Sequence, residues 1–386
     1  MKDEVIQVCE EQYKMVVMNL ELDNIFGFNG FKINFSYPKR IVRSTIDNEH
    51  LRDCPNFRYK KAVVLMGSNA TGKTTLGRAL LRIFTFLETG NPVGLIQMAS
   101  DRDRQARISI DYVNEERLLH RVIFTSEVDI NISPVPRIDV QHECVYILKT
   151  DTYESAVRRL QKDNDTVHSF GATHRLSGPM QYYFALDTED KKYRTSSVDP
   201  DLFIKVLRAV IGTLDPSLKD ISIIKEIEDS YVIRRNGQEI ILQKGEITNR
   251  HLLSSGTQRG IDIAILMATI IANQNGFYYC DEHFSYIQTD LEKRMFGMMV
   301  ENLQENEQLI FTTHNTDMLD LNIPKHSFAF LRKEKDGDHF DVSVMYASDV
   351  LKRNTDSIRC AAANDVFSSI PDESLLDSLA CIQYSG

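Results

Sequence analysis

The chain has 386 residues, six cysteines, a formal charge of −10 and a pI near 5.5. That excess of carboxylates excludes a protein whose whole surface is a nucleic-acid footprint, because such binding draws on counterions released around Lys and Arg; a local basic groove stays open. Cys9, Cys54, Cys144, Cys280, Cys360 and Cys381 form no C-x-x-C pair and have no histidine at metal-ligand spacing, so reduced thiols in the cytoplasm are expected. His142-Glu143-Cys144 comes nearest to a ligand cluster, but neighbours in a strand point to opposite faces. Met1-Lys2-Asp3-Glu4 lacks the basic and apolar regions of a leader, and the apolar helical run from about Ile261 to Ala272 is too short for a bilayer. Neither secretion nor membrane insertion is expected.

In chain order, alternation predicts strands at Val16 to Leu22 and Phe31 to Phe35, joined through Asn24-Ile25-Phe26-Gly27-Phe28-Asn29-Gly30, as an antiparallel edge. Phe26 or Phe28 could stack on an adenine, with core packing the plainer reading. Lys39, Arg40, Arg43, Arg58, Lys60 and Lys61 form the one early basic cluster. Ala62 to Met66 is a short apolar run that reads as a buried parallel strand, and Thr75 to Phe86 has helical spacing. Asn91-Pro92 breaks that helix, Asp101 to Arg107 reads as a solvated face, and strands follow at Ile108 to Val113, Leu118 to Phe124 and Cys144 to Leu148. Helices are predicted at Tyr153 to Gln161 and Asp201 to Leu214, and a hairpin turns at Asn236-Gly237 between Tyr231 to Arg235 and Glu239 to Leu242. An apolar helix reaching about Gln274 follows Leu252 to Gly260. Next come a strand at Phe277 to Cys280, a helix, and strands at Gln308 to Thr312, Ser327 to Arg332 and Phe340 to Tyr346, with a terminal helix. No repeat and no sustained heptad pattern is present. The expected division is a nucleotide-binding lobe at 1–150, an inserted helical lobe with its hairpin at 151–249, and the second half of the core with its tail at 250–386.

The chemistry concentrates in two places. Gly67-Ser68-Asn69-Ala70-Thr71-Gly72-Lys73-Thr74 fits G-x-x-x-x-G-K-[ST] and stands between a strand and a helix, the order a phosphate-binding loop needs. Gly67 and Gly72 let backbone N–H groups turn towards phosphates, Lys73 reaches the β- and γ-phosphates, and the Thr74 hydroxyl can ligate Mg²⁺. Nucleotide binding is therefore expected. In the second half, the strand Phe277 to Cys280 ends in Asp281-Glu282, at the carboxyl edge of a parallel sheet, where ligands bind. Asp281 would hold the magnesium shell and Glu282 would orient or deprotonate the attacking water. The strand Gln308 to Thr312 delivers Thr313 and His314 to the same edge, where His314 can sense the γ-phosphate.

With Leu253-Ser254-Ser255-Gly256-Thr257 ahead of an apolar helix, these motifs occur once each, in order. Their arrangement resembles ABC-type ATPase heads, most closely the stand-alone bacterial "AAA family" ATPases related to the RecF and SMC types. The resemblance implies an α/β P-loop NTPase fold with a mixed central sheet, an antiparallel N-terminal edge and an inserted helical lobe. It makes Gly67 to Thr75 Walker A, Leu253 to Thr257 the signature motif, Phe277 to Glu282 Walker B and His314 the switch histidine. It extends loosely over about residues 15 to 90 and 215 to 370, including Asn364-Asp365-Val366-Phe367 and Ile370-Pro371-Asp372, and not over the inserted lobe. The signature lacks the second glycine and the glutamine usual in transporters, and His283-Phe284-Ser285-Tyr286-Ile287-Gln288-Thr289-Asp290 departs from their short polar loop. Gln97, Gln141 and Gln181 are the candidates for the glutamine loop.

The resemblance further implies ATP and Mg²⁺ as ligands. It also implies a homodimer, or a higher homo-oligomer, in which Ser254, Ser255 and Gly256 of one chain meet the γ-phosphate held by another. An attached nuclease of the acidic metal-binding kind is not expected in the seventy or so residues beyond His314. The leading reading is an ATP-hydrolysing sensor or scaffold for a separately encoded effector, a nuclease or toxin, in anti-phage defence. The rivals are a repair or chromosome-maintenance ATPase that clamps DNA, with nucleic acid as its partner, and a transporter ATPase subunit.

Overall fold

The computed structural model describes residues 14–41, 44–127, 137–161, 168–170, 180–186, 198–218, 220–235, 237–336, 339–353 and 355–367. A six-stranded central sheet is laid down in the order Tyr182–Ala185, Phe277–Asp281, Gln308–Thr312, Ala62–Met66, Phe328–Asp336, His339–Tyr346. Its first five strands run parallel and the last is antiparallel. Ala62–Met66, Phe277–Asp281 and Gln308–Thr312 are buried at every position, which explains their mainly apolar character: helices cover both faces, and the polar residues Asp281, Gln308 and Thr312 stand at strand ends.

The two faces are separated residue by residue. Val63, Leu65, Tyr279 and Ile310 pack with Leu76, Leu80 and Ile83 of the helix Lys73–Thr89. Val64, Tyr278, Cys280 and Phe311 pack instead with Ile261, Ile265 and Ala268 of the helix Ser255–Ile271, together with Phe203 of the helix Pro200–Leu214 and Phe296 of the helix Thr289–Asn302. The helix after the phosphate loop and the helix after the signature turn thus lie on opposite faces of one sheet.

A second six-stranded sheet, antiparallel throughout, follows the order Phe31–Asn34, Val16–Asp23, Ala106–Val113, Leu118–Glu127, Arg137–Tyr146, His168–Phe170. Its Leu20, Leu22, Ile108, Ile110 and Val122 share a core with Leu76 and Leu80, so Lys73–Thr89 is held between two sheets. A four-stranded antiparallel sheet, Asp220–Ile223, Ser230–Arg235, Gln238–Gln243 and Glu246–Ile247, packs Ile221, Tyr231 and Ile233 into the same core as Pro200–Leu214.

Several elements differ from the sequence reading. The strand expected at 144–148 runs Arg137–Tyr146, because most of its side chains are half-buried on an outer sheet and show no apolar alternation. Tyr182–Ala185 is a further strand, too short at four residues to show a period in the sequence. Between 151 and 249 the chain carries the helices Tyr153–Leu160 and Pro200–Leu214 together with one strand of each large sheet and the whole small sheet. Of the Asn236-Gly237 turn, Asn236 lies outside the described residues, as do Arg43 and Ile370-Pro371-Asp372. Phe367, which ends the described chain, stacks on Phe330 at 3.9 Å. Cys54, Cys144, Cys280 and Cys360 are free. Among the described residues no helix is long and apolar enough to cross a membrane.

Candidate functional site

Residues 67–72 join the strand Ala62–Met66 to the helix Lys73–Thr89 in a loop whose two glycines leave no room for a side chain. A Cβ on Gly67 would stand 2.6 Å from Thr71 Oγ1 and 2.9 Å from the Leu331 carbonyl oxygen. Gly72 has a φ of +102°, and a Cβ there would meet the Phe28 ring at 2.9 Å. Ala70 also takes a positive φ of 60°, a strained choice that fits a loop turning successive N–H groups inward. Ser68 is half-buried, Asn69 and Ala70 are exposed, Thr71 is buried with its hydroxyl donating to the Ser68 carbonyl, and Thr75 lies half-buried in the first helical turn.

Lys73 is buried, yet its ammonium is surrounded by oxygen: it donates to the carbonyls of Gly67 at 2.7 Å and Ser68 at 3.1 Å and lies 3.4 Å from Glu282 Oε1. Burial holds its pKa below the usual lysine value, against the pull of Glu282 and Asp281. The buried Tyr279 hydroxyl donates to the Lys73 carbonyl at 2.6 Å, which ties the first helical turn to the Asp281 strand.

Asp281 ends that strand and accepts hydrogen bonds from the Thr74 hydroxyl at 2.7 Å and the Thr312 hydroxyl at 2.9 Å. Burial raises its pKa, and those two donors oppose the rise. Glu282 follows with a φ of +52° and accepts from His314 Nε2 at 2.8 Å on Oε1. The His314 hydrogen bond is the chief cause holding Glu282 below the usual carboxylate value, outweighing burial with help from Lys73. The other His314 nitrogen, Nδ1, is 3.5 Å from Lys73 Nζ. Lys73, Thr74, Asp281, Glu282 and His314 therefore meet at the carboxyl edge of the central sheet. A Thr hydroxyl beside an Asp carboxylate is the all-oxygen donor set that suits Mg²⁺.

The signature turn is elsewhere. Ser254 caps the helix Ser255–Ile271, its hydroxyl accepting from the Thr257 N–H at 3.1 Å, while Ser254 and Ser255 are exposed and Gly256 is half-buried. A Cβ on Gly256 would stand 3.3 Å from the Tyr286 carbonyl oxygen, so the turn rests on the loop after Glu282. His283 links the same parts: its Nδ1 lies 2.7 Å from the Asp281 carbonyl oxygen and its Nε2 lies 3.5 Å from Asp262 of the signature helix, both side chains buried.

None of the three glutamines is brought to this edge. Gln181 precedes the strand Tyr182–Ala185, and its carbonyl accepts from the Gly276 N–H, which places it at the opposite end of the sheet. Gln141 sits on an outer strand and Gln97 closes a short helix. Phe28 is buried in the core, whereas Phe26 is half-buried with the Arg82 guanidinium 5.1 Å from its ring. His142 faces His120, with Nε2 and Nδ1 2.9 Å apart. Thr312, His283 and Glu292 support the site without a motif that marks them, whereas Tyr279 lies within the Phe277 to Glu282 run and Thr312 stands beside Thr313-His314.

No family model matches the sequence, and neither does any curated protein. Among solved structures, the chain is similar to an SmcHead bound to the C-winged helix domain of ScpA, at 13% identity over 87% of this chain and 99% of that one, with a TM-score of 0.51. An SMC head domain from Thermotoga maritima matches at 13% identity over 86% and 98%, with a TM-score of 0.40. The recombination mediator RecF with ATP matches at 11% identity over 88% and 98%, with a TM-score of 0.42. Together with the mixed parallel sheet and its antiparallel companion, the similarity to the SmcHead identifies the fold as that of an ABC-type ATPase head.

Proposed function

We propose that the protein is an ATP-dependent switch that binds and hydrolyses ATP with Mg²⁺, closes as a homodimer around nucleotide, and acts through a separately encoded effector in anti-phage defence. One observation carries the ATPase part: Lys73, Thr74, Asp281, Glu282 and His314 converge within hydrogen-bonding reach of one another. Lys73 binds the β- and γ-phosphates, and Thr74 and Asp281 hold the metal. Bound Mg²⁺ supplies neutralisation of the charge that develops on the phosphate oxygens. Glu282, kept ionised by His314 and Lys73, accepts a proton from the attacking water, and His314 holds that carboxylate in place.

Support for the dimer comes from the two faces of the sheet. Ser254 and its helix lie opposite the helix of the phosphate loop, so the exposed signature turn serves a second chain's nucleotide and not its own. The N-terminal end of that helix, with its free N–H groups, suits a γ-phosphate.

For the effector part, support comes from what the basic cluster does. Lys60 and Lys61 are buried and spend their ammonium groups on the backbone carbonyls of Asn34, Ser36, Asp47 and Leu303, so they cannot line a DNA groove. Only Lys39, Arg40 and Arg58 of that cluster remain at the described surface. The SmcHead of similar fold is bound to a domain of another protein, the kind of attachment a head working through an effector needs.

The test is the variant Glu282→Gln, which keeps the shape of the base and removes its charge. ATP should accumulate dimers of this variant in light scattering, and purified ATP-bound protein should hold random duplex DNA no tighter than non-specific affinities of roughly 10⁻⁴ to 10⁻⁶ M. An unchanged mass with ATP contradicts the sandwich, and submicromolar, steeply salt-dependent DNA binding favours the clamp.

A further inference from the structure

The His314 side chain is 36% exposed, and among the described residues its ring nitrogens lie against Glu282 and Lys73. Its direction therefore depends on how the residues on either side are held. Both flanking residues are gripped by one buried carboxylate from another element. Glu292, 2% exposed in the first turn of the helix Thr289–Asn302, accepts from the Thr313 hydroxyl at 2.8 Å on Oε1 and from Asn315 Nδ2 at 2.6 Å on Oε2.

The grip is closed by shorter links. Asn315 Nδ2 also donates to the Thr289 hydroxyl at 3.1 Å, the Asn315 N–H donates to the Thr313 hydroxyl at 3.0 Å, and Asn315 Oδ1 accepts from the Asp317 N–H at 3.0 Å. That last bond fixes which way the Asn315 amide points, so its NH₂ group is committed to Glu292. Burying a carboxylate is costly unless hydrogen bonds replace its water, and here both oxygens are used on residues 313 and 315.

We infer that Glu292 is a positioning residue of the site: it clamps the side chains of the residues on both sides of His314 and so sets the imidazole against Glu282 and Lys73. This rests on the reading of the site as an ATPase. The hydrogen bonds of Glu292 go to Thr313 and Asn315, so its effect on the site runs through His314.

The experiment is a double-mutant cycle on ATP turnover. Glu292→Ala should lower kcat roughly ten- to a hundredfold, the scale expected when a reacting group is displaced by about 1 Å, with KM within about twofold of the parent. In a His314→Ala background the same change should have no further effect, because the histidine it positions is gone. Glu292→Gln should keep most of the turnover, its amide donating to the Thr313 oxygen while its carbonyl accepts from Asn315. Should Glu292→Ala not fold, Thr313→Val removes one arm of the clamp and carries the same cycle. Parental kcat in Glu292→Ala, a loss that multiplies with that of His314→Ala, or a Gln variant as impaired as Ala each overturns the inference alone. A parent protein with no turnover that Glu282→Gln abolishes overturns the ATPase reading and this inference with it.

Discussion

Lys73 illustrates how one side chain can be kept charged in a place that opposes charge. Burial lowers its pKa, while Glu282 and Asp281 favour the ammonium, and two loop carbonyls take its remaining N–H bonds. A triphosphate brings further negative oxygens to the same cation, so the contacts it makes are charge-assisted. Lys73→Ala removes that cation and leaves two carboxylates facing the phosphates. The loss of ATP·Mg²⁺ affinity should be at least about 2 kcal/mol, roughly thirtyfold in Kd, measured by calorimetry. Parental affinity in the variant would mean that the loop does not hold phosphate.

Among the elements, the outer antiparallel sheet carries a titratable feature that the proposed ATPase chemistry does not use. Tyr112, His120 and His142 stack across three adjacent strands, with ring centroids 4.9 Å and 5.2 Å apart and planes within 10° of parallel. Burial, and secondarily the nearby His142, push the His120 pKa down from 6.5 to about 3. His120 Nε2 is buried without a hydrogen-bond partner among the described residues, which suits a neutral ring only. The unfolded chain takes up the proton first as pH falls, so this contribution to stability is full above about 6.5. It declines by about 1.4 kcal/mol per pH unit until about 3. Urea unfolding at pH 7 and pH 5 should show the parent losing roughly 2 kcal/mol more than His120→Phe. Equal losses in the two proteins would assign the acid sensitivity to another group.

For the whole molecule, the decisive geometry is that the phosphate-loop helix and the signature helix are separated by the central sheet. In the proposed sandwich each chain would offer half of two sites, and closure of a pair would join them. Placing a bulky cation on the exposed Ser254 should block approach of a second chain without touching the phosphate loop. In a Glu282→Gln background, Ser254→Arg should abolish the ATP-dependent dimer in light scattering while each chain still binds ATP·Mg²⁺ by calorimetry. A dimer that persists would place the interface away from the signature turn.

What the sequence determined by itself is local. G-x-x-x-x-G-K-T between Met66 and Thr75 specifies a strand, a loop and a helix within a dozen or so residues, and the mainly apolar runs at Ala62–Met66 and Gln308–Thr312 mark strands covered on both faces. The sequence places Asp281, Glu282 and His314 at or within two residues of the ends of buried strands, which is why it offers them as candidates. The tertiary structure alone decided which strands are neighbours, that Thr74 meets an aspartate 207 positions away, and that Glu292 reaches both sides of His314. It also showed that Lys60 and Lys61, which look like a basic patch in one dimension, are inside. The physical reason is the same in each case. Periodicity and turn chemistry are written in neighbours along the chain, whereas strand order and buried hydrogen bonds are chosen by which distant groups can satisfy each other once water is excluded.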